Sequence, residues 1–268
     1  MRPSQTDALW NEMYDSATTE FLELPRARVI LDVGCGSGMW AATLHRLRKR
    51  ANLVALDSSA PALAQASESI GGEVELIRAD ASRLPFKDNT FDLVTCRRLL
   101  INLRPRRRRA ALREMIRVSR GGRIVSPVEP SLQTNRANHF STIRGNIRFS
   151  KSLEKAVSGT DFTLGPRMAY LLVREGLEEV DVWAYPIVNS YLPPKYGDLF
   201  LSTVVHGGGF VHALSTVSPP LKGSTGKRLQ KEAARLDREV RRQRDRKSLV
   251  SVTELPMFIT KGRKPVSN

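Results

Sequence analysis

Cysteine, aromatic residues and acidic charge are all scarce in this chain of 268 residues. Its two cysteines, Cys35 and Cys96, are too few for a disulfide framework or a cysteine-based zinc site, and no metal site is expected. No apolar run approaches the length of a membrane span, which excludes a transmembrane segment. The N-terminus is polar and lacks the apolar core of a secretory leader, so a cytoplasmic location is expected. The length suits one well-buried domain with an elaboration. Acids number 27 against 43 lysines and arginines, leaving a formal net charge of +16.

That excess is concentrated in two stretches. Between Arg97 and Arg123 eleven arginines accompany one acid, Glu114. Between Lys222 and Lys247 eleven basic residues accompany Glu232, Asp237, Glu239 and Asp245. Such clusters suit nucleic acid, anionic lipid or an acidic substrate, and equally a solvated basic face. Pro105 reads as the first residue of a helix, which puts Arg106, Arg107, Arg108 and Arg109 in its first turn. The helix dipole disfavours cations there by roughly 0.3–1 kcal/mol each. Four arginines against that field predict a bound anion, such as a substrate phosphate, an RNA backbone or a lipid headgroup.

The most informative stretch is Leu31-Asp-Val-Gly-Cys-Gly-Ser-Gly-Met39, followed by a second apolar strand ending at Leu56-Asp57. A strand entering a turn with glycine at 34, 36 and 38 lets backbone approach a ligand closely. The helix after it presents unpaired N–H groups. An acid at the tip of the next strand can accept from both ribose hydroxyls. Dinucleotide sites use Gly-x-Gly-x-x-Gly; here the third glycine comes one residue early, with Met39 in the expected slot.

This spacing, preceded by Asp32, resembles motif I of the class I S-adenosylmethionine-dependent methyltransferases. Further elements agree in order: Val74–Arg78 as a strand leading to Asp80-Ala-Ser-Arg-Leu-Pro-Phe86, then Phe91-Asp-Leu-Val-Thr95, then a basic helix closing on Gly121-Gly122. From about Trp10 to Glu129 the succession is similar to the "type 11" group that includes the ubiquinone and menaquinone methyltransferases. The resemblance implies an α/β fold: a Rossmann-like seven-stranded sheet with helices on both faces. S-adenosyl-L-methionine is the cofactor it implies. Gly34, Cys35, Gly36 and Gly38 would then pass under the methionine moiety, with Asp32 orienting the turn or meeting the ligand's amino group. Asp57, followed by Ser58, would take the ribose hydroxyls. Asp80 would accept from the adenine amine, with the Ala81 N–H facing the ring. Tyr14 resembles the aromatic that the family's N-terminal helix lays over the cofactor. Asp57 as a helix cap, Asp80 as a turn residue and Tyr14 as a core contact are the structural alternatives.

Apolar spacing predicts an N-terminal helix over 5–24. Strands and helices then alternate through Pro127, a helix runs from Gly165 to Glu175, and strands follow over Val180–Tyr185 and Glu254–Thr260. Residues 1–190 and 250–264 are read as the core, and 191–249 as a loop-plus-helix insertion between strands 6 and 7, acting as a substrate lid. Within it, 227–246 reads as a charged helix with a narrow stripe of Leu229, Ala233, Leu236 and Val240, suited to a lid, a partner or a dimer seam.

Methyl transfer from a sulfonium is an in-line displacement in which positioning and desolvation supply much of the rate. A general base is needed only for an acceptor protonated at working pH. The catalytic candidates are accordingly weak: Asn102, Glu129, His139, His206 and His212. His206-Gly-Gly-Gly209 has no accompanying Gly-x-Ser-x-Gly, which excludes a lipase-type site. Cys96 lacks the Pro-Cys context of cytosine methyltransferases and is read as a buried thiol. The Asn- and Ser-rich N-terminal motif of the quinone enzymes is absent, and Ile101-Asn102 stand where many relatives have histidine. Three readings follow: a methyltransferase of a small or lipid-like acceptor; an RNA or ribosomal-protein methyltransferase docking through arginines; and a basic nucleic-acid-binding protein with a vestigial cofactor site.

Overall fold

The computed structural model describes residues 15–130, 161, 163–191, 223–245 and 251–266. Its backbone is one seven-stranded sheet: β1 (Val29–Val33), β2 (Asn52–Asp57), β3 (Glu75–Arg78), β4 (Phe91–Arg97), β5 (Ser119–Pro130), β6 (Glu178–Tyr191) and β7 (Ser251–Arg263). The strand order is β3-β2-β1-β4-β5-β7-β6. Strands β1 to β5 pair in parallel, whereas β7 runs antiparallel to both β5 and β6. The order reverses between β1 and β4, and a crevice opens there at the carboxyl ends of the strands.

Period-two alternation within the strands divides the core into two layers. Ile30, Leu93 and Ile124 pack with Trp40, Ala41, Leu44, Ala66 and Ile70 on one face. Their chain neighbours Leu31, Val94 and Val125 pack with Ala111, Leu112, Met115, Met168 and Leu172 on the other. The first face is covered by the helical residues 15–21 (α1), by α2 (Met39–Leu47) and by α3 (Ala60–Ile70). The second is covered by α4 (Pro105–Val118) and α5 (Met168–Arg174). Burial on both faces is why these strands read as near-continuous apolar runs.

Local signals account for most boundaries. Ser59 caps α3 by accepting from the Ala62 N–H at 3.4 Å, and the helix ends on Gly71. Pro105 opens α4 as expected. The N-terminal helix ends at 21, short of the expected 24, because Glu23 adopts a left-handed backbone before Pro25 in a 3₁₀ turn. The 165–175 helix divides into a 3₁₀ turn, Gly165–Arg167, and α5. Strands β6 and β7 extend beyond their expected bounds at both ends, because each pairs with the other along one hairpin.

Helix α6 (Gly223–Asp245) lies between β6 and β7 in sequence. Leu229, Ala233 and Leu236 are buried within the single chain. These three side chains of the stripe are thus already covered, which leaves them no apolar surface to offer a dimer seam. The side chain of Val240 lies outside the described residues, as do Tyr14, His139, His206, His212 and residues 192–222 of the expected lid. Among the described residues no helix is long and apolar enough to cross a membrane.

Candidate functional site

The crevice where the strand order reverses is a cleft of about 420 Å³, lined in part by Gly34, Cys35, Gly36 and Asp57. The glycine turn is stitched to β2, since the Gly34 and Cys35 N–H groups both donate to the Leu56 carbonyl, at 2.7 and 2.9 Å. All three glycines have positive φ, but for different reasons. A Cβ at Gly34 would lie 2.6 Å from Leu99, and one at Gly38 would lie 2.6 Å from Ile70 on α3. Those two glycines let the turn pack against its neighbours. Gly36 has nothing within 4 Å of its would-be Cβ, so its bare backbone faces open space in the cleft.

Asp57 stands at the tip of β2. Its Oδ2 accepts from the Gly36 N–H at 3.0 Å and its Oδ1 from the Ser59 N–H at 2.9 Å. Each carboxylate oxygen can accept twice, so this bracing leaves capacity for a ligand's hydroxyls. Asp80 lies beyond the end of the adjacent strand β3. Its Oδ1 accepts from the Ser82 N–H and hydroxyl, and Oδ2 is ion-paired with Arg107. These bonds, Ser82's first, hold its carboxyl below the usual range. Asp80 does act as a turn residue here, and neither it nor Ala81, Ser58 or Gly38 lines the cleft.

Asp32 is fully buried beneath the turn, and neither carboxylate oxygen has a hydrogen-bond partner among the described residues. Burial raises its pKa to about 7, with the Arg97 charge opposing and the Asp57 charge adding. Glu129 is equally buried; its Oε1 accepts from the Leu100 N–H at 2.7 Å, and burial raises its pKa to about 8. It anchors the 3₁₀ turn Leu100–Asn102 rather than lining the cleft, so the structure gives it no access to a reacting atom. Asn102 does line the cleft and donates to the Arg98 carbonyl at 2.7 Å. Cys35 and Cys96 are buried thiols, both pushed up by burial, which removes thiolate chemistry at neutral pH.

The cleft is also lined by residues not anticipated as site residues: Trp40, Arg97, Arg98 and Leu99. Trp40 is set by its Nε1, which donates to Thr95 Oγ1 at 3.2 Å, and the Arg97 guanidinium lies 5.9 Å from its ring centre. An available signal was the position of Arg97-Arg98 directly after β4, since ligands in such sheets bind outside the carboxyl ends of strands.

The arginine cluster resolves into pairs. Seven of its eleven members meet carboxylates of the chain itself: Arg107 with Asp80, Arg108 with Asp161, Arg109 and Arg113 with Glu175, Arg117 with Glu114 and Asp88, and Arg120 and Arg123 with Asp92. Three of the four first-turn arginines of α4 are thus engaged internally, and Arg106 is exposed. The anions expected at that turn are the protein's own carboxylates, so the set Arg106–Arg109 does not constitute a docking site by its placement.

The parallel sheet with a terminal antiparallel hairpin and a glycine turn at its switch point defines an α/β domain with its cleft at the carboxyl ends of the strands. Residues 30–122 match the methyltransferase domain family. A demethylmenaquinone methyltransferase of Lactiplantibacillus plantarum is 41% identical over 99 residues, 35% of this chain and 41% of that protein. One from Shouchella clausii is 27% identical over 186 residues, 63% of this chain and 78% of that protein. The chain thus spans about two fifths of the first of these relatives. Among solved structures, the YcgJ protein of Bacillus subtilis superposes with a TM-score of 0.59 at 15% identity, over 96% of this chain and all of that one. A Haemonchus contortus phosphoethanolamine N-methyltransferase in complex with S-adenosyl-L-methionine superposes with a TM-score of 0.55 at 15% identity, over 96% of this chain and 53% of that one.

Proposed function

We propose that this protein is an S-adenosylmethionine-dependent methyltransferase acting on a small, lipid-like acceptor. The observation that carries the reading is the cleft itself, where an open-faced glycine, Gly36, is braced to an acid at the tip of β2. A Cβ at residue 36 would occupy space that a nucleoside needs, and the residues present fit S-adenosylmethionine. Asp57 would hold the ribose hydroxyls and Gly34 to Gly36 would underlie the methionine moiety. Asp32, buried below, would favour an ammonium group above the turn. When bound, the cofactor supplies an electrophilic methyl group on a sulfonium. The chain's own part is to orient donor and acceptor in line and to exclude water, a task that needs no proton-transfer residue when the acceptor is already nucleophilic.

The named relatives at 36–41% identity are demethylmenaquinone methyltransferases or ubiquinone/menaquinone C-methyltransferases, which supports a lipid-like acceptor. We assign 191–249 as the acceptor-side lid from its place between β6 and β7. The RNA-docking alternative loses its main support with the internal pairing of Arg107, Arg108 and Arg109. Tritium-methyl transfer to fractionated cell extract tests the reading: label is expected in the lipid or small-molecule fraction. Label in RNA or protein would replace the acceptor assignment, and no label in any fraction would overturn the enzyme.

A further inference from the structure

Away from the cleft, α4 and α5 share an apolar groove edged by arginines. It encloses about 230 Å³ between the two helices, and Pro105, Leu112, Met168 and Leu171 contribute its apolar lining. Tyr170 and Val173 lie one turn apart on α5 and are 63% and 58% exposed. They are two of the four exposed large apolar side chains among the described residues, so α5 is where such surface gathers.

Arginines from both helices surround this surface. Arg106, Arg109 and Arg113 recur at spacings of three and four along one exposed side of α4. Arg167 and Arg174 stand at the two ends of α5, and the Arg174 guanidinium lies 5.6 Å from the Tyr170 ring centre. Asp161 is ion-paired with Arg108 and Arg167, and Glu175 with Arg109 and Arg113. Two carboxylates serve four of the arginines, so the face keeps an excess of positive charge even with every ion pair formed. The Glu175 side chain is 9% exposed, whereas Arg109 and Arg113 are 52% and 61% exposed, so the paired arginines still present their charge to solvent.

We propose that the α4–α5 face docks on the anionic surface of a lipid bilayer. The arginines take headgroup phosphates, and Tyr170 and Val173 enter the interfacial layer between them. The apolar component selects the partner. An RNA backbone would engage the arginines and leave Val173 and the groove in water, whereas a bilayer engages both. Helix α4 begins three residues after the cleft residue Asn102, which places a docked bilayer near the cleft. Such docking does not require the methyltransferase reading, and binding alone tests it.

The experiment is co-sedimentation of the full chain with vesicles at low and at physiological salt. One set is phosphatidylcholine alone and the other an equimolar mixture with phosphatidylglycerol. The mixed vesicles are expected to bind about tenfold more tightly than the neutral ones, an advantage that shrinks with salt. Arg106→Gln with Arg174→Gln should cut affinity for the mixed vesicles by about tenfold, and Tyr170→Ser with Val173→Ser by about fivefold. All four side chains are exposed, so urea midpoints should stay at the wild-type value. Lys231→Gln with Arg235→Gln removes two exposed cations of α6 and should leave vesicle affinity within about twofold of the wild type. Equal binding to neutral and mixed vesicles, or unchanged affinity in either α4–α5 variant, would overturn the proposal. So would an equal loss in the α6 variant, the sign of charge attraction without a defined face. Binding of a single-stranded RNA in place of vesicles, lost in Arg106→Gln with Arg174→Gln, would also overturn it and assign the face to nucleic acid.

Discussion

Arg106 and Arg108 are two residues apart in the same basic run, yet the fold treats them as different materials. Arg106 is exposed on the first turn of α4. Arg108 is buried: its Nε donates to the Leu100 carbonyl at 2.9 Å, one terminal nitrogen to the Leu103 carbonyl at 3.1 Å and the other to Asp161 at 2.9 Å. Those bonds hold the turn that carries Asn102 and Leu99 on the cleft wall. Arg108→Ala is expected to lower stability by about 2–4 kcal/mol, because buried carbonyls and a carboxylate lose their donor. Arg106→Ala should stay within about 0.5 kcal/mol of the wild type. Urea denaturation of both variants checks the contrast, and equal effects would contradict it. Helical spacing to Ala111, Leu112 and Met115 puts Arg108 on the buried face of α4. Its partner is not readable locally, because Asp161 lies 53 positions away and the neighbouring partner Glu175 lies 66 from Arg109. By contrast, the juxtaposition of Asp57 with the glycine turn was legible, since it depends on spacing within one βαβ unit.

At the scale of elements, the segment from Leu84 to Asp88 has little regular structure and is held by Arg117 of α4. Arg117 donates to the Leu84 and Phe86 carbonyls, to Asp88 and to Glu114, while Glu114 accepts from the Leu84 N–H at 2.7 Å. The clamp fixes the stretch that leads from β3 to β4, and with it the side of the cleft near Asp80. Arg117→Ala is expected to speed amide hydrogen exchange across 84–90 and to cost about 1–2 kcal/mol globally. Arg117→Lys should recover little, because a single ammonium cannot reproduce the planar fork. Unchanged exchange in either variant would contradict the assignment. Strand alternation, Pro105 and Gly71 made most element boundaries readable. The ends of β6 and β7 were not, because each is lengthened by pairing with the other, and the end of α1 was missed because Glu23 takes a backbone that glycine or asparagine usually signals.

For the whole molecule, the buried acids set how stability responds to pH. Asp32 and Glu129 have pKa values raised to about 7 and about 8, so between about pH 4 and these values the folded chain binds more protons than the unfolded one. Their contribution is therefore complete below about pH 4, falls progressively as pH rises from there, and is gone once pH passes about 7 and about 8. Asp80, Asp92, Glu114, Asp161 and Glu175 are shifted the other way by their hydrogen bonds and arginine partners, and their contribution is lost in acid. Stability is expected to peak between about pH 4 and 6 and to decline towards pH 8. The double variant Asp32→Asn, Glu129→Gln should flatten the decline. Urea midpoints measured across pH 4–9 check this, and stability rising from pH 5 to 8 would contradict it.

The central claim is that the cleft between the glycine turn and Arg97–Asn102 binds S-adenosylmethionine. Calorimetric titration of the wild type and Asp57→Ala with S-adenosylhomocysteine tests it most directly. Saturable one-site binding is predicted for the wild type, weakened in Asp57→Ala by about tenfold or more as the ribose loses a charged acceptor. No binding by the wild type, or equal affinity in Asp57→Ala, would contradict the account.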